Sequence, residues 1–82
     1  MTLRELVDKY LELAGSFGRP VPLAAFGLSR EETERLFSAF DEDYQISRFL
    51  CLSQPAAGGQ VYRINGFPQT HVSIDAEIRT VL

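Results

Sequence analysis

The sequence lacks tryptophan, has a single cysteine, Cys51, and contains no long apolar run. One cysteine cannot form an internal disulfide, and the first residues show no basic segment followed by an apolar one, so we expect a cytoplasmic protein. No run approaches the roughly 20 apolar residues that a membrane-spanning helix needs. We therefore expect no contact with a membrane.

Positive charge is also scarce. The sequence has eight Lys and Arg residues and eleven Asp and Glu residues, which gives a net charge of −3. This balance disfavours nonspecific attraction to phosphate backbones or anionic lipid. The run Asp41-Glu42-Asp43 begins like a calcium loop, but Ile46 stands where that loop needs glycine and Leu52 where it needs glutamate. We interpret the run as a solvated helix end and expect no metal and no cofactor.

The composition is that of an ordinary globular protein, with six Phe and three Tyr available for a core, and the length predicts a single domain spanning residues 1–82. The pattern of predicted helices and strands indicates the α+β class for that domain. A chain of this length buries only roughly 60% of the surface that it exposes when unfolded, so a large catalytic cleft is not expected. Cys51 and His71, with Asp75 to orient the base, are the sole candidates for a nucleophile and base, and their spacing supports no catalytic arrangement. Cys51 is expected as a small buried hydrophobe, and we predict neither an enzyme nor a small-molecule substrate.

An amphipathic helix is predicted at the start of the chain. Thr2 and Glu5 have the spacing of a capping box, and Gly15 or Gly18 can end the helix. Its apolar positions recur at three- and four-residue steps, which places them on one face. They are Leu3, Leu6, Val7, Tyr10, Leu11, Ala14 and Phe17.

A second pair of helices is predicted around a glycine turn. Pro22 can open a short helix that runs to Phe26, and Gly27 supplies the turn. Ser29 and Glu32 repeat the capping-box spacing at the start of a longer helix that extends to Tyr44. Its buried stripe is predicted to contain Leu28, Leu36, Phe37, Phe40 and Tyr44.

The second half of the chain is predicted to form a β-hairpin and a short tail. Residues 46–53 are interpreted as a strand, 54–59 as a turn, and 60–64 as the returning strand, closed by Asn65-Gly66. Phe67 then either plugs the edge of the core, which we favour, or projects as an anchor. From Thr70 to Thr80 the tail alternates apolar and polar residues like a half-buried strand, yet Ile74, Ile78, Val81 and Leu82 also fit a helix. We favour an extended chain to about Ile74 and a helix after it, because acidic residues suit a helix N-terminus.

Residues 22–65 resemble bacterial winged helix-turn-helix regulators in their pattern of residue types and spacings. The resemblance implies three N-terminal helices, a β-hairpin wing and a C-terminal strand or helix. It also implies a dimeric DNA-binding regulator. We call the predicted helix that starts at Ser29 the second motif helix. The positions that would contact DNA are Arg30, Thr33 and Arg35 on that helix, with Arg48 and Arg63 on the hairpin.

The charge of the second motif helix argues against that activity. Residues 29–44 carry two arginines and six acids, a net charge of −4, and would bring carboxylates toward phosphate. We therefore predict a non-enzymatic regulatory or assembly module that contacts a protein partner or a second copy of itself. Glu31 and Glu34 would steer a basic partner, and Tyr62 and Phe67 would supply aromatic anchors. The alternative is a transcription regulator that binds DNA as a dimer.

Overall fold

The structure, a computed structural model, describes residues 1–55 and 59–82 of the chain. It confirms an α+β domain. In chain order its elements are α1 (Leu3–Ala14), β1 (Val21–Pro22), a 3-10 helix (Leu23–Phe26), α2 (Arg30–Glu42), α3 (Tyr44–Ser47), β2 (Leu50–Ser53), β3 (Tyr62–Ile64), β4 (Phe67–Gln69), β5 (His71–Ile74) and a terminal 3-10 helix (Ala76–Val81). The turn predicted at 54–59 lies partly outside the described residues.

Helix α1 forms as predicted. The Thr2 backbone N–H donates to Glu5 Oε1 at 2.9 Å, and the Glu5 N–H donates to Thr2 Oγ1 at 3.2 Å, which completes the capping box. The hydrogen bond from the Thr2 backbone holds the pKa of the Glu5 carboxyl below its ordinary value. Gly15, at φ 81°, ends the helix. Leu6, Val7 and Tyr10 are buried on the predicted face.

The prediction that the second motif helix reaches Tyr44 is wrong. Ser29 caps the start of α2 by accepting from the Glu32 N–H at 3.2 Å, but the helix stops at Glu42. Asp43 has an extended backbone, and its carboxylate accepts from the Gln45 N–H at 3.0 Å, which starts the separate helix α3. Tyr44 is consequently 78% exposed instead of buried in the α2 stripe.

The predicted hairpin between residues 46–53 and 60–64 is also wrong. Residues 46 and 47 belong to α3, and the strand begins at Leu50. Strand β2 pairs antiparallel with β5, which lies between β1 and β2 in a three-stranded sheet. Leu50 and Leu52 lie opposite Ile74 and Val72, so this pairing places all four apolar side chains on the core face of the sheet.

Strand β3 pairs instead with β4 in a tight hairpin. Its two turn residues, Asn65 and Gly66, have φ values of 51° and 85°. Two positive φ angles are what the right-handed twist of a two-residue hairpin requires, and Asn-Gly supplies them at low cost. Asn65 and Gly66 therefore form the turn between β3 and β4, and they do not mark the end of the predicted hairpin.

The tail follows the prediction of extended chain followed by a helix. Strand β5 ends at Ile74, and the Asp75 carboxylate caps the terminal 3-10 helix by accepting from the Glu77 N–H at 2.8 Å. Ile78 in that helix is fully buried. The core that these elements enclose contains Leu6, Val7, Tyr10, Val21, Leu23, Phe26, Phe37, Phe49, Tyr62, Ile64, Val72, Ile74 and Ile78.

Across residues 1–55 and 59–82, every helix is too short or too polar to span a bilayer.

Candidate functional site

Helix α2 presents different residues to the core, to the hairpin and to solvent. Successive helical residues are rotated by about 100°, so positions three or four apart share a side. Thr33 and Phe37 point into the core and are fully buried. The side toward β3 carries Arg30, Glu34, Ser38 and Asp41, whereas the exposed residues are Arg30, Glu31, Glu32, Arg35, Ala39 and Glu42.

Side chains of α2 bind the outer edge of β3. Arg30 Nη1 donates to the Val61 carbonyl at 2.7 Å. Glu34 Oε2 accepts from the Arg63 N–H at 2.8 Å. Further along, Ser38 Oγ accepts from the Asn65 N–H at 3.2 Å.

The two spacings match. Four helical residues rise about 6 Å, and two strand residues span about 6.6 Å, so every fourth residue of α2 meets every second residue around β3. The helix thus takes the place of a neighbouring strand. It satisfies backbone groups that an edge strand would otherwise leave open.

Additional contacts fix the hairpin on α2. Asn65 Nδ2 donates to Asp41 Oδ2 at 2.8 Å, and the Arg30 guanidinium lies 5.2 Å from the centre of the Tyr62 ring. Tyr62 and Ile64 are 2% and 1% exposed, which anchors β3 in the core. The hairpin therefore covers one side of α2 along most of its length.

The structure separates the residues that the winged-helix resemblance assigned to DNA. Thr33 is buried and donates to the Ser29 carbonyl, so it is removed as a contact residue. Arg30 is engaged with the hairpin, and Arg35 lies on the solvent side with Nη1 3.8 Å from Glu31 Oε1. Arg48 follows α3 and stacks 4.7 Å from the centre of the Phe49 ring.

Arg63 is exposed, and its backbone N–H is the group bound to Glu34. On α2, the Arg30 side chain lies toward β3 and the Arg35 side chain lies toward solvent.

The residues predicted for protein contact are also divided. Glu31 is exposed, whereas Glu34 is half-buried and holds β3. Tyr62 is buried, so it is wrong as an exposed anchor. Phe67 is 67% exposed, so the favoured expectation that it plugs the core is wrong and the anchor alternative fits its position.

Two exposed aromatic side chains, Tyr44 and Phe67, lie a few residues along the chain from a hydrogen bond at the C-terminal end of α2. The hairpin turn is tied there through Asn65 and Asp41, Phe67 follows Asn65 by two residues, and Tyr44 follows Asp41 by three. The exposed carboxylates of Glu42 and Asp43 adjoin Tyr44 in the chain. We call Glu42, Asp43, Tyr44 and Phe67 the acidic aromatic end.

One sequence signal could have located Tyr44. Asp41, Glu42 and Asp43 place negative charge at the C-terminal end of α2, where the helix dipole is also negative. This repulsion disfavours a further turn of helix and so favours an end near Asp43. Asp is also a preferred N-cap residue, so Asp43 can begin a new helix. The apolar spacing that placed Tyr44 in the stripe does not include either effect.

The candidate nucleophile and base lie on the outer face of the three-stranded sheet. Cys51 lies opposite Ser73 and is exposed, which overturns the expectation that it is buried. His71 Nδ1 lies 2.8 Å from Thr70 Oγ1. Within residues 1–55 and 59–82, no His71–Cys51 hydrogen bond forms, and no three His, Cys, Asp or Glu side chains are grouped to hold a metal ion.

Comparisons with protein-family models, curated proteins and solved structures found no match to this chain.

Proposed function

We propose that this chain is a winged-helix-type regulatory or assembly module that acts through protein contacts. The observation that carries the proposal is the covering of α2 by the β3–β4 hairpin, through Arg30, Glu34 and Ser38. A helix that reads bases must enter the major groove with an open side. Here one side faces the core and the next faces the hairpin, and the side that stays open to solvent carries Glu31, Glu32, Arg35 and Glu42.

The order and pairing of the elements support the winged-helix part of the proposal. The 3-10 helix and α2 are joined by residues 27–29, a short glycine-containing turn typical of a helix-turn-helix unit. Strand β1 precedes this unit, β2 follows it, and β5 lies between them in the sheet. In this interpretation β2 and β5 are the two strands of the wing, and the β3–β4 hairpin is an insertion between them.

The charge of the remaining side of α2 favours a protein over DNA. Glu31, Glu32 and Glu42 are exposed there, and the cation on that side, Arg35, is paired with Glu31. DNA affinity comes from neutralising phosphates, with about 6 to 10 contacts in strong binders. An acidic side with a paired arginine repels a phosphate backbone.

The acidic aromatic end supplies the contact surface in this proposal. Tyr44 and Phe67 are 78% and 67% exposed, and aromatic side chains of this kind dominate the binding energy of protein interfaces. The neighbouring Glu42 and Asp43 carboxylates would steer a basic surface into place. The expected partner is therefore a protein that combines a basic rim with an apolar pocket.

Capture from an extract of the source cells, with chemical crosslinking and mass spectrometry, tests this proposal. We expect Tyr44→Ser and Phe67→Ser to lose the same protein at least tenfold, because each removes an anchor. The matched control is Leu13→Ser, which removes a 38%-exposed apolar side chain from α1 and should leave capture unchanged. Equal loss in all three variants, or recovery of nucleic acid in place of a protein, would contradict the proposal.

A further inference from the structure

In the part of the chain that the structure describes, three of the four outer strand edges are closed to strand addition. Directly after β1 the Leu23 N–H donates to the Thr70 carbonyl at 2.8 Å, so by alternation the outward positions in and beside β1 are Pro20 and Pro22, which have no N–H. In β4 the outward position is Pro68, opposite Arg63. The outer edge of β3 is bound to α2.

Strand β2 is the edge that differs. The Asp75 N–H donates to the Phe49 carbonyl at 2.9 Å, which fixes the alternation so that Cys51 and Ser53 bond toward β5. The backbone groups of Leu50 and Leu52 therefore point outward. Among residues 1–55 and 59–82, none makes a hydrogen bond with these two N–H and two carbonyl groups.

We infer that a second copy of this chain pairs antiparallel with β2 across a twofold axis centred on Cys51. In that register Leu50 lies opposite Leu52 of the second copy, and Leu52 lies opposite its Leu50. All four outward N–H groups and all four outward carbonyls of the pair are then used. The two sheets join into one sheet of six strands, in the order β1-β5-β2-β2-β5-β1.

The side chains and charges of β2 fit a second copy. The strand has no charged residue, and Leu50 and Leu52 are half-buried at the edge of the core, so a neighbouring copy extends the apolar face. The nearest cation, Arg48, falls opposite Gln54 of the second copy. No like charges are therefore brought opposite each other, as antiparallel pairing requires.

This inference rests on the protein-contact part of the proposed function and names one partner for it, at a surface other than the acidic aromatic end. A four-residue strand buries little area, which places the contact at the weak end of interfaces, below about 1,200 Å². The dimer is therefore expected to form at high protein concentration and to dissociate on dilution.

Oxidation of Cys51 tests the register. The twofold axis places the two Cys51 residues in a pair without hydrogen bonds, about 4.5 Å apart at Cα, within the range of a disulfide. Diamide accepts the two electrons and two protons that the thiols lose. We expect rapid formation of a covalent dimer of the full chain on a non-reducing gel.

The matched control moves the thiol by two residues on the same face. In Cys51→Ser with Ser53→Cys, the two thiols lie about four residues apart along the paired strands, about 13 Å. Crosslinking should be at least tenfold slower than in the original chain. Equal rates in the two proteins, or no crosslink in either, would overturn the inference.

A second pair of variants separates the backbone donor from the side chain. Leu52→Pro removes the outward N–H, whereas Leu52→Ala keeps it and also loses the leucine side chain. Sedimentation equilibrium should show a dimer for Leu52→Ala and a monomer for Leu52→Pro, with circular dichroism confirming that both fold. A dimer that survives in Leu52→Pro would place self-association elsewhere and overturn the inference, while capture at the acidic aromatic end would still report on the proposed function.

Discussion

The Glu34 carboxylate joins two parts of the molecule that are distant in sequence. It accepts from the Arg63 N–H at 2.8 Å and lies 3.5 Å from Arg30 Nη1, which itself holds the Val61 carbonyl. The side chain is 29% exposed, so these contacts are partly shielded from water. Glu34 is therefore a structural residue, although its charge and its place on α2 suggested a steering role.

We predict that Glu34→Ala lowers the free energy of unfolding by about 1–3 kcal/mol, because the Arg63 N–H loses its acceptor. Glu31→Ala is the matched control on the same helix, where an exposed ion pair with Arg35 contributes less than about 1 kcal/mol. Urea denaturation followed by circular dichroism measures both. Equal losses in the two variants would show that α2 does not hold the hairpin through Glu34.

The elements differ in how far their own residues determine them. The bounds and orientation of helix α1 depend on features within a few residues of each other: the Thr2–Glu5 capping box, the apolar face and Gly15. Each of these features is visible in the sequence. The sequence pattern does not identify the strand that pairs with β2. Strand β5 lies about 20 residues further along the chain, and the nearer segment 60–64 competes with it for pairing with β2. What decides the pairing is the burial of Leu50 and Leu52 beside Ile74 and Val72.

The candidate site was predictable only in part for the same reason. The acids of α2 and the Phe67 aromatic were visible in the sequence, but the hydrogen bonds from α2 to β3 join residues 27 to 31 positions apart. No local pattern reports such contacts. Thr33 and Tyr62, which are predicted from the sequence to lie at the surface, are both buried.

The β3–β4 hairpin depends on the conformation of its turn. Gly66 has φ 85°, and apart from its two chain neighbours no atom of the described residues lies within 4 Å of where a Cβ would stand. A substitution there therefore costs backbone strain and no clash with those residues. We predict that Gly66→Ala lowers the free energy of unfolding by about 1 kcal/mol. Thermal denaturation with calorimetry measures the change.

Asparagine is the control for that substitution, since it tolerates positive φ better than alanine does. Gly66→Asn should lose less stability than Gly66→Ala. Equal losses would indicate that the side chain, and not the backbone conformation, causes the effect.

The whole molecule divides its surface between several kinds of contact. One side of α2 is used internally, the acidic aromatic end exposes two aromatic side chains, and the β2 edge has open backbone groups. The net charge of −3 disfavours attraction to a polyanion, and both arginines of α2 lie beside acids of the same helix. This distribution is consistent with the proposal that the module acts through protein contacts.

Titration of fluorescent random-sequence duplex DNA, followed by anisotropy, tests the central claim that this module does not act by binding DNA. At about 50 mM salt, where phosphate contacts are strongest, we predict no binding at micromolar protein, and the same at about 200 mM. Micromolar binding at the lower salt that weakens steeply at the higher one, and that disappears in Arg48→Glu with Arg63→Glu, would contradict the account and support a DNA-binding regulator.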